Sequence, residues 1–364
     1  MSGNFEPAKA FFLQGLDHYQ ASRFVEAQRD YVASLALLPG RVSTLTNLGA
    51  TLLKLGRMDD ALAVLDEALA QEAGNVEALG HRATALAELG RYDEALATLD
   101  ALLHQAPRLG YAWSLRGLLL KDSGRLQEAA TAFRSAIDNG GDAELNSHYL
   151  ASVSGQAAPA APPREYVENL FDSYAAGFER HLVDVLNYRA HEVLAQRVIA
   201  TQRRFASVLD LGCGTGLCGA LMRPHALWLQ GVDVSGNMVA QARAGGGYDL
   251  VEQADLVQHL GAAERRFDLV LAADVFIYVG ALEAVFAGVA RAIDPGGVFC
   301  FSVEAAREDE EFALRPSLRY VHSEGYLRRL AAQHGFDVEA MARHPIREDQ
   351  QQPISGLFAW LVRR

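Results

Sequence analysis

A period of 34 residues runs through the first 143 positions and restricts what this half of the chain can fold into. Alanine recurs at 27, 61, 95 and 129, and glycine at 15, 49 and 117, with Ala83 as the fourth member of that series. Gly56, Gly90 and Gly124 keep the same spacing, and Pro39 and Pro107 stand two periods apart. A unit this short cannot bury its apolar face alone and does so by stacking on copies of itself. The pattern fits two antiparallel helices per period. Small residues such as Gly49 and Ala61 let the two helices approach closely. Gly56 and Gly90 end the first helix, where a positive φ is wanted. Leu45, Leu48, Leu65 and Leu99 fill the space between neighbouring pairs.

Trp113, Gly117, Ala129, Phe133 and Ala136 nearly complete the signature of the last copy. The segment resembles the tetratricopeptide repeat, which implies an all-α solenoid over residues 1–153, with four repeats over about 8–143 and a capping helix from Glu144. Such solenoids present a concave face that binds proteins or peptides. Asn47, Lys54, His81, Thr84, Tyr111 and Lys121 are expected to face it. They include too few basic residues for the two-lysine, two-asparagine carboxylate clamp of some repeats. Residues 154–163 contain the run Gly155-Gln-Ala-Ala-Pro-Ala-Ala-Pro-Pro163, which reads as a semi-rigid alanine–proline linker and places the domain boundary there.

Whole-chain totals narrow the function classes. A net charge of −12 argues against a nucleic-acid partner, which needs a basic face. No apolar run reaches the roughly 18–20 residues of a membrane span. The N-terminal Met-Ser-Gly-Asn-Phe-Glu-Pro has no basic segment followed by an apolar one, so a cytoplasmic chain without membrane contact is expected. Three cysteines make no disulfide framework, and Cys213, Cys218 and Cys300 are expected as small buried residues rather than metal ligands.

From residue 205 the period changes. Apolar, β-branched runs at Ser207–Leu211, Leu227–Val234, Phe267–Ala272 and Gly297–Val303 alternate with helix-like stretches from Leu217, over Asn237–Ala244 and over Ala281–Ile293. Nearly continuous apolar strands between helices imply a parallel sheet covered on both faces. The first strand runs into Asp210-Leu-Gly-Cys-Gly-Thr-Gly216, where glycine lets the backbone turn sharply beneath a ligand. The dinucleotide fingerprint has its third glycine one residue later, so the spacing disfavours NAD. The second strand ends at Asp233, about 20 residues past the loop, where a carboxylate can accept both hydroxyls of a ribose.

This constellation is similar to the class I S-adenosylmethionine-dependent methyltransferases, over residues 164–364. The resemblance implies a Rossmann-like seven-stranded, mostly parallel sheet whose last strand is antiparallel, with Phe336–Ile346 and Gly356–Arg363 as the final hairpin. It implies S-adenosyl-L-methionine as cofactor and S-adenosyl-L-homocysteine as product. Asp210 and the backbone of Gly212, Gly214 and Gly216 match the motif that holds the methionine part. Asp233 matches the ribose ligand, with Val234 and Met238 flanking the adenine. Asp255 and Leu256 match the motif that meets the adenine amino group, and Ala272 the backbone approached by the methionine group. A segment ahead of the sheet, with Phe171, Tyr174 and Phe178 at helical spacing, resembles a lid helix in which Tyr174 touches the cofactor.

Methyl transfer from a sulfonium needs alignment and dryness more than acid–base help, so the acceptor leaves a weaker imprint. Acceptor-side candidates are Asp274, Tyr278 and the segment Arg315–Glu324, read as a loop. Within it, Tyr320 and His322 are catalytic candidates, His322 as general base. Ser323 reads as the N-cap of a helix over Glu324–His334. Three functions are compatible with this pattern. The first is methyl transfer with the repeats recruiting a protein or peptide substrate or partner. The second is a small-molecule O-, N- or C-methyltransferase whose repeats serve oligomerisation or scaffolding. The third is an interaction protein with a relic fold, against which the intact Asp210, glycines and Asp233 count.

Overall fold

The computed structural model describes residues 4–349 and 352–364, so the first three residues of the segment read for a leader lie outside it. The chain divides after Ser154 into two compact units. The first is nine helices among the described residues: α1 (Phe5–Gln20), α2 (Phe24–Leu37), α3 (Val42–Lys54), α4 (Met58–Gln71), α5 (Val76–Glu88), α6 (Tyr92–Gln105), α7 (Gly110–Asp122), α8 (Leu126–Asp138) and α9 (Ala143–Ser154). Gly56, Gly90 and Gly124 adopt φ of +72°, +70° and +74° at the ends of α3, α5 and α7, the left-handed turn that stops a helix. Three of the four periods repeat their electrostatics too. Arg57–Asp60, Arg91–Glu94 and Arg125–Glu128 pair at the starts of successive second helices. Arg82–Asp66 and Arg116–Asp100 bridge neighbouring repeats. Within each helix pair the small residue faces a large one: a Cβ on Gly15 would come within 2.6 Å of the Tyr31 ring, and one on Gly49 within 2.6 Å of Leu65.

The second unit opens with α10 (Arg164–Tyr174), the short turn α11 (Phe178–Arg180) and α12 (Ala190–Ala200). Strands and helices then alternate: β1 (Phe205–Leu211), α13 (Leu217–Met222), β2 (Ala226–Asp233), α14 (Gly236–Ala244), β3 (Leu250–Gln253), α15 (Leu256–Ala262), β4 (Phe267–Ala272), α16 (Glu283–Ala292) and β5 (Ile293–Ala305). There follow β6 (Phe312–Leu314), β7 (Tyr320–His322), α17 (Glu324–Gln333), β8 (Phe336–Asp349) and β9 (Gln352–Arg363). Strands β3-β2-β1-β4-β5 are parallel neighbours, and β9 returns antiparallel between β5 and β8. Phe276, Phe286, Phe299, Phe301 and Phe336 pack together on one face, and Phe205, Leu229, Leu271, Phe358 and Trp360 on the other.

One expectation is corrected. The sheet has nine strands among the described residues, because the segment after β5 forms the short antiparallel pair β6–β7, and β7 continues alongside the end of β5 at Glu304 and Ala305. Strands of three residues are too short to show a period-2 pattern in sequence. The alanine–proline stretch lies in the second unit, where the Ala160 carbonyl accepts the N–H groups of Gly280 and Ala281 at 2.9 and 2.8 Å. Ser323 caps α17 as expected, its hydroxyl accepting from the Tyr326 N–H at 3.3 Å. All three cysteines are buried free thiols. No helix among the described residues is long and apolar enough to cross a membrane.

Candidate active site

At the carboxyl ends of β1, β2 and β4, where open parallel sheets bind ligands, lies a cavity of about 840 Å³. Its floor is the turn after β1. Gly212, Gly214 and Gly216 have φ of +66°, +53° and +106°, so a side chain at any of them is strained. A Cβ at Gly212 would also meet Val275 at 2.5 Å. The Gly214 N–H points to Asp233 Oδ2 at 2.9 Å, and the Ser235 N–H to Asp233 Oδ1 at 2.9 Å, which fixes the carboxylate at the end of β2. Burial nevertheless raises the Asp233 pKa, and it lifts Asp210 to about 7. The Tyr248 hydroxyl donates to Asp210 Oδ2 at 2.7 Å, while Asp233 adds like charge. Two desolvated carboxylates beside a glycine turn favour a ligand that brings positive charge. The Thr215 hydroxyl on the same turn is buried with no hydrogen-bond partner among the described residues. A cationic ligand with hydroxyl and amino groups, such as S-adenosylmethionine, fits this donor set.

One wall is α10, none of whose residues is fully buried. It turns Phe171 and Tyr174 toward the cavity, as the following turn does Phe178, the three rings meeting edge to face. The helix is tied to α14: Asp172 Oδ1 accepts from the Ser235 hydroxyl at 2.5 Å and the Asn237 N–H at 3.2 Å. The opposite end of the cavity is lined by Tyr188, His191, Asp274, Tyr278, Arg319 and Arg347.

Of the residues singled out in the sequence, Tyr174, Asp210, Gly212, Gly214, Asp233, Val234, Met238, Asp255, Leu256 and Tyr278 line the cavity. Asp255 Oδ1 is spent on capping α15, accepting from Val257 and Gln258 N–H. Gly216 and Ala272 stand just behind the wall; Ala272 is fully buried, and its neighbour Ala273 lines the space instead. Tyr320 and His322 are not on the wall. Pairing of β7 with β5 and β6 turns both into the core, where each is fully buried. His322 Nε2 bonds the Gly280 carbonyl at 2.8 Å, and burial lowers its pKa to about 4. A base walled off from the cavity cannot reach an acceptor held there, which removes His322 and Tyr320 as catalytic candidates. Sequence reasoning missed Tyr248 and Arg347, whose partners lie 38 and 73 residues away.

Residues 183–341 match the family model of the methyltransferase domain, and residues 12–76 and 52–119 match models of the tetratricopeptide repeat. A malonyl-[acyl-carrier protein] O-methyltransferase of Enterobacter lignolyticus is 30% identical over 178 residues, 48% of this chain and 68% of that relative. Human methyltransferase-like protein 27 is 28% identical over 184 residues, 49% of this chain and 74% of the relative. Among solved structures, magnesium protoporphyrin IX methyltransferase from Synechocystis is 18% identical, covers 55% of this chain and 99% of its own, and has a TM-score of 0.44. The chain belongs to the methyltransferase-domain family, with tetratricopeptide repeats preceding that domain.

Proposed function

We propose that the C-terminal unit transfers a methyl group from S-adenosylmethionine to an acceptor held in the same cavity, and that the repeat unit engages a protein or peptide partner. The observation that carries the first part is the juxtaposition of Asp210, Asp233 and the left-handed glycine turn on one cavity wall. Asp233 is positioned to accept the ribose hydroxyls. Asp210 and the turn's backbone hold the methionine part, and Val234, Met238 and Leu256 supply apolar contact for the adenine. When bound, the cofactor supplies a methyl carbon on a cationic sulfur, an electrophile that needs no acid to activate it. The protein's share is alignment and exclusion of water, supplied by the aromatic face of α10.

Relatives named as O-methyltransferases support methyl transfer. Calorimetric titration of the full chain with S-adenosylhomocysteine tests the reading. Saturable binding that Asp233→Ala weakens at least about tenfold, as removal of a buried charged hydrogen-bond acceptor should, is the expected result. Absence of saturable binding by the wild-type chain overturns it.

A further inference from the structure

Beyond β4 the chain passes Ala273 and reaches Asp274, which adopts φ +59°, a conformation rarely taken by residues other than glycine. Its N–H is held by Ser302 Oγ at 2.9 Å. Its Oδ2 accepts from Arg347 Nη1 at 2.6 Å, and Nη2 of the same guanidinium donates to Glu304. Arg347 is only 2% exposed, so the turn after β4, β5 and β8 each contribute one member of a buried ion network with two carboxylates around one cation. Asp274 Oδ1 is buried with no hydrogen-bond partner among the described residues, and the residue belongs to the cavity lining. Leu318, on the same wall, also holds a positive φ of +63°. Strain of this kind persists where the surroundings impose it.

The chemistry of this end selects among acceptors. A carboxylate acceptor needs an uncommitted cation. Both arms of Arg347 are already taken by Asp274 and Glu304, Arg319 is engaged by the Tyr278 hydroxyl, and Arg164, the third arginine of the lining, pairs with Glu168. An incoming carboxylate would instead face the Asp274 carboxylate. A group carrying a proton meets an acceptor with unspent capacity. Beside these polar groups the lining is aliphatic, with Leu182, Leu186, Ile277 and Leu318.

We propose that the acceptor is a largely apolar molecule whose reacting atom is a hydroxyl or amine bearing a proton, and that the Asp274 carboxylate takes that proton. This rests on the methyl-transfer reading. The acceptor gives one proton to Asp274, its lone pair forms the new bond to the methyl carbon, and the electrons of the broken carbon–sulfur bond stay on sulfur. Charge and atoms balance with no further reactant. The acceptor class departs from the carboxyl group implied by the name of the malonyl relative.

The test is incubation of the full chain with methyl-labelled S-adenosylmethionine in an extract of the cells that make it, followed by mild alkali. Ethers and methylamines survive alkali, whereas methyl esters release volatile labelled methanol. Alkali-stable label is expected, and cation exchange then separates amine from ether products. Volatile label overturns the proposal. Asp274→Asn should lower labelling about 100-fold, the scale of a lost general base, while S-adenosylhomocysteine affinity by calorimetry stays unchanged. A wild-type rate of labelling in that variant also overturns it. No labelled product alongside normal S-adenosylhomocysteine binding overturns the methyl-transfer reading and this proposal with it.

Discussion

The Tyr248 hydroxyl donates to Asp210 Oδ2 at 2.7 Å and accepts the Gly219 N–H at 3.1 Å, so one phenol ties the loop after α14 to the end of β1 and the start of α13. Its ring lies against Gly216, Gly219 and Gly231, where any Cβ would crowd it. The hydrogen bond favours the ionised carboxylate against the burial that lifts Asp210 to about 7. Affinity for S-adenosylhomocysteine should therefore rise with pH through about 7, as Asp210 loses its proton. Tyr248→Phe keeps the ring and removes the donor. The midpoint should move up by about one pH unit, the equivalent of a hydrogen bond to a charged group. Calorimetry across pH 6–9 reads this, and an unshifted midpoint would show that the phenol only fills space.

The same carboxylate weighs on stability. The folded chain keeps the Asp210 proton between the ordinary value of 3.8 and about 7, whereas the unfolded chain releases it. Its contribution is therefore full below 3.8 and is lost as pH rises through about 7. Asp210→Asn should stabilise the ligand-free protein at pH 8, by an amount of order a few kcal/mol, and by clearly less at pH 5, while cofactor binding falls. His322 acts in the opposite direction. Buried neutral with a pKa of about 4, it contributes stability present above 6.5 and lost as pH falls through about 4. Denaturant titrations of both proteins at pH 5 and pH 8 check the sign; equal effects of Asp210→Asn at both would refute it.

The sequence was most legible where a local rule determines the outcome. Gly56, Gly90 and Gly124 sit at helix ends because the turn there has positive φ, and Ser323 caps α17 because its oxygen reaches a free N–H. The glycine turn after β1 and Asp233 were readable because the interval between them is fixed by one βαβ unit. Tyr248 was not readable: Gly245-Gly-Gly-Tyr-Asp249 looks like any surface turn until β1 and α13 are beside it. Arg347 follows Pro345 on β8, and only the antiparallel return of β9 brings that strand within reach of Asp274 and Glu304. His322 was misread because a three-residue strand inside a polar segment has the composition of a loop.

The repeats supply a prediction with an internal control. Gly117 lies so close to the Phe133 ring that an added Cβ would overlap it, while Gly49 lies against Leu65. The equivalent position in the third repeat is already alanine, Ala83, and is fully buried. Leu65 is fully buried too, but it is smaller and more flexible than a phenyl ring, and alanine in a helix gains about 1 kcal/mol over glycine. Gly49→Ala should thus cost less than Gly117→Ala. Phe133 is fully buried and cannot move without disturbing α8, so Gly117→Ala should cost about 1–3 kcal/mol. Thermal melts of the two variants rank them, and the reverse order would sink the argument.

The last prediction concerns the wall formed by α10. Its contacts with α14 are few and polar: Asp172 accepts from Ser235 and Asn237, Asn237 Nδ2 donates to the Asp172 carbonyl at 3.0 Å, and just past the helix end Gln241 Nε2 donates to the Ala175 carbonyl at 2.8 Å. Asp172 also places its negative charge at the N-terminus of α14, where the helix dipole favours it. With no fully buried residue of its own, α10 gains little from packing and depends on these bonds. Segments of this kind open locally at low cost. Asp172→Ala should leave the sheet's stability intact and raise amide exchange over residues 164–174. It should also weaken S-adenosylhomocysteine binding about tenfold, roughly 1.4 kcal/mol, mainly through faster release. Faster exchange without faster release would mean that α10 does not retain the ligand, and the aromatic face would then have to be assigned to the acceptor alone.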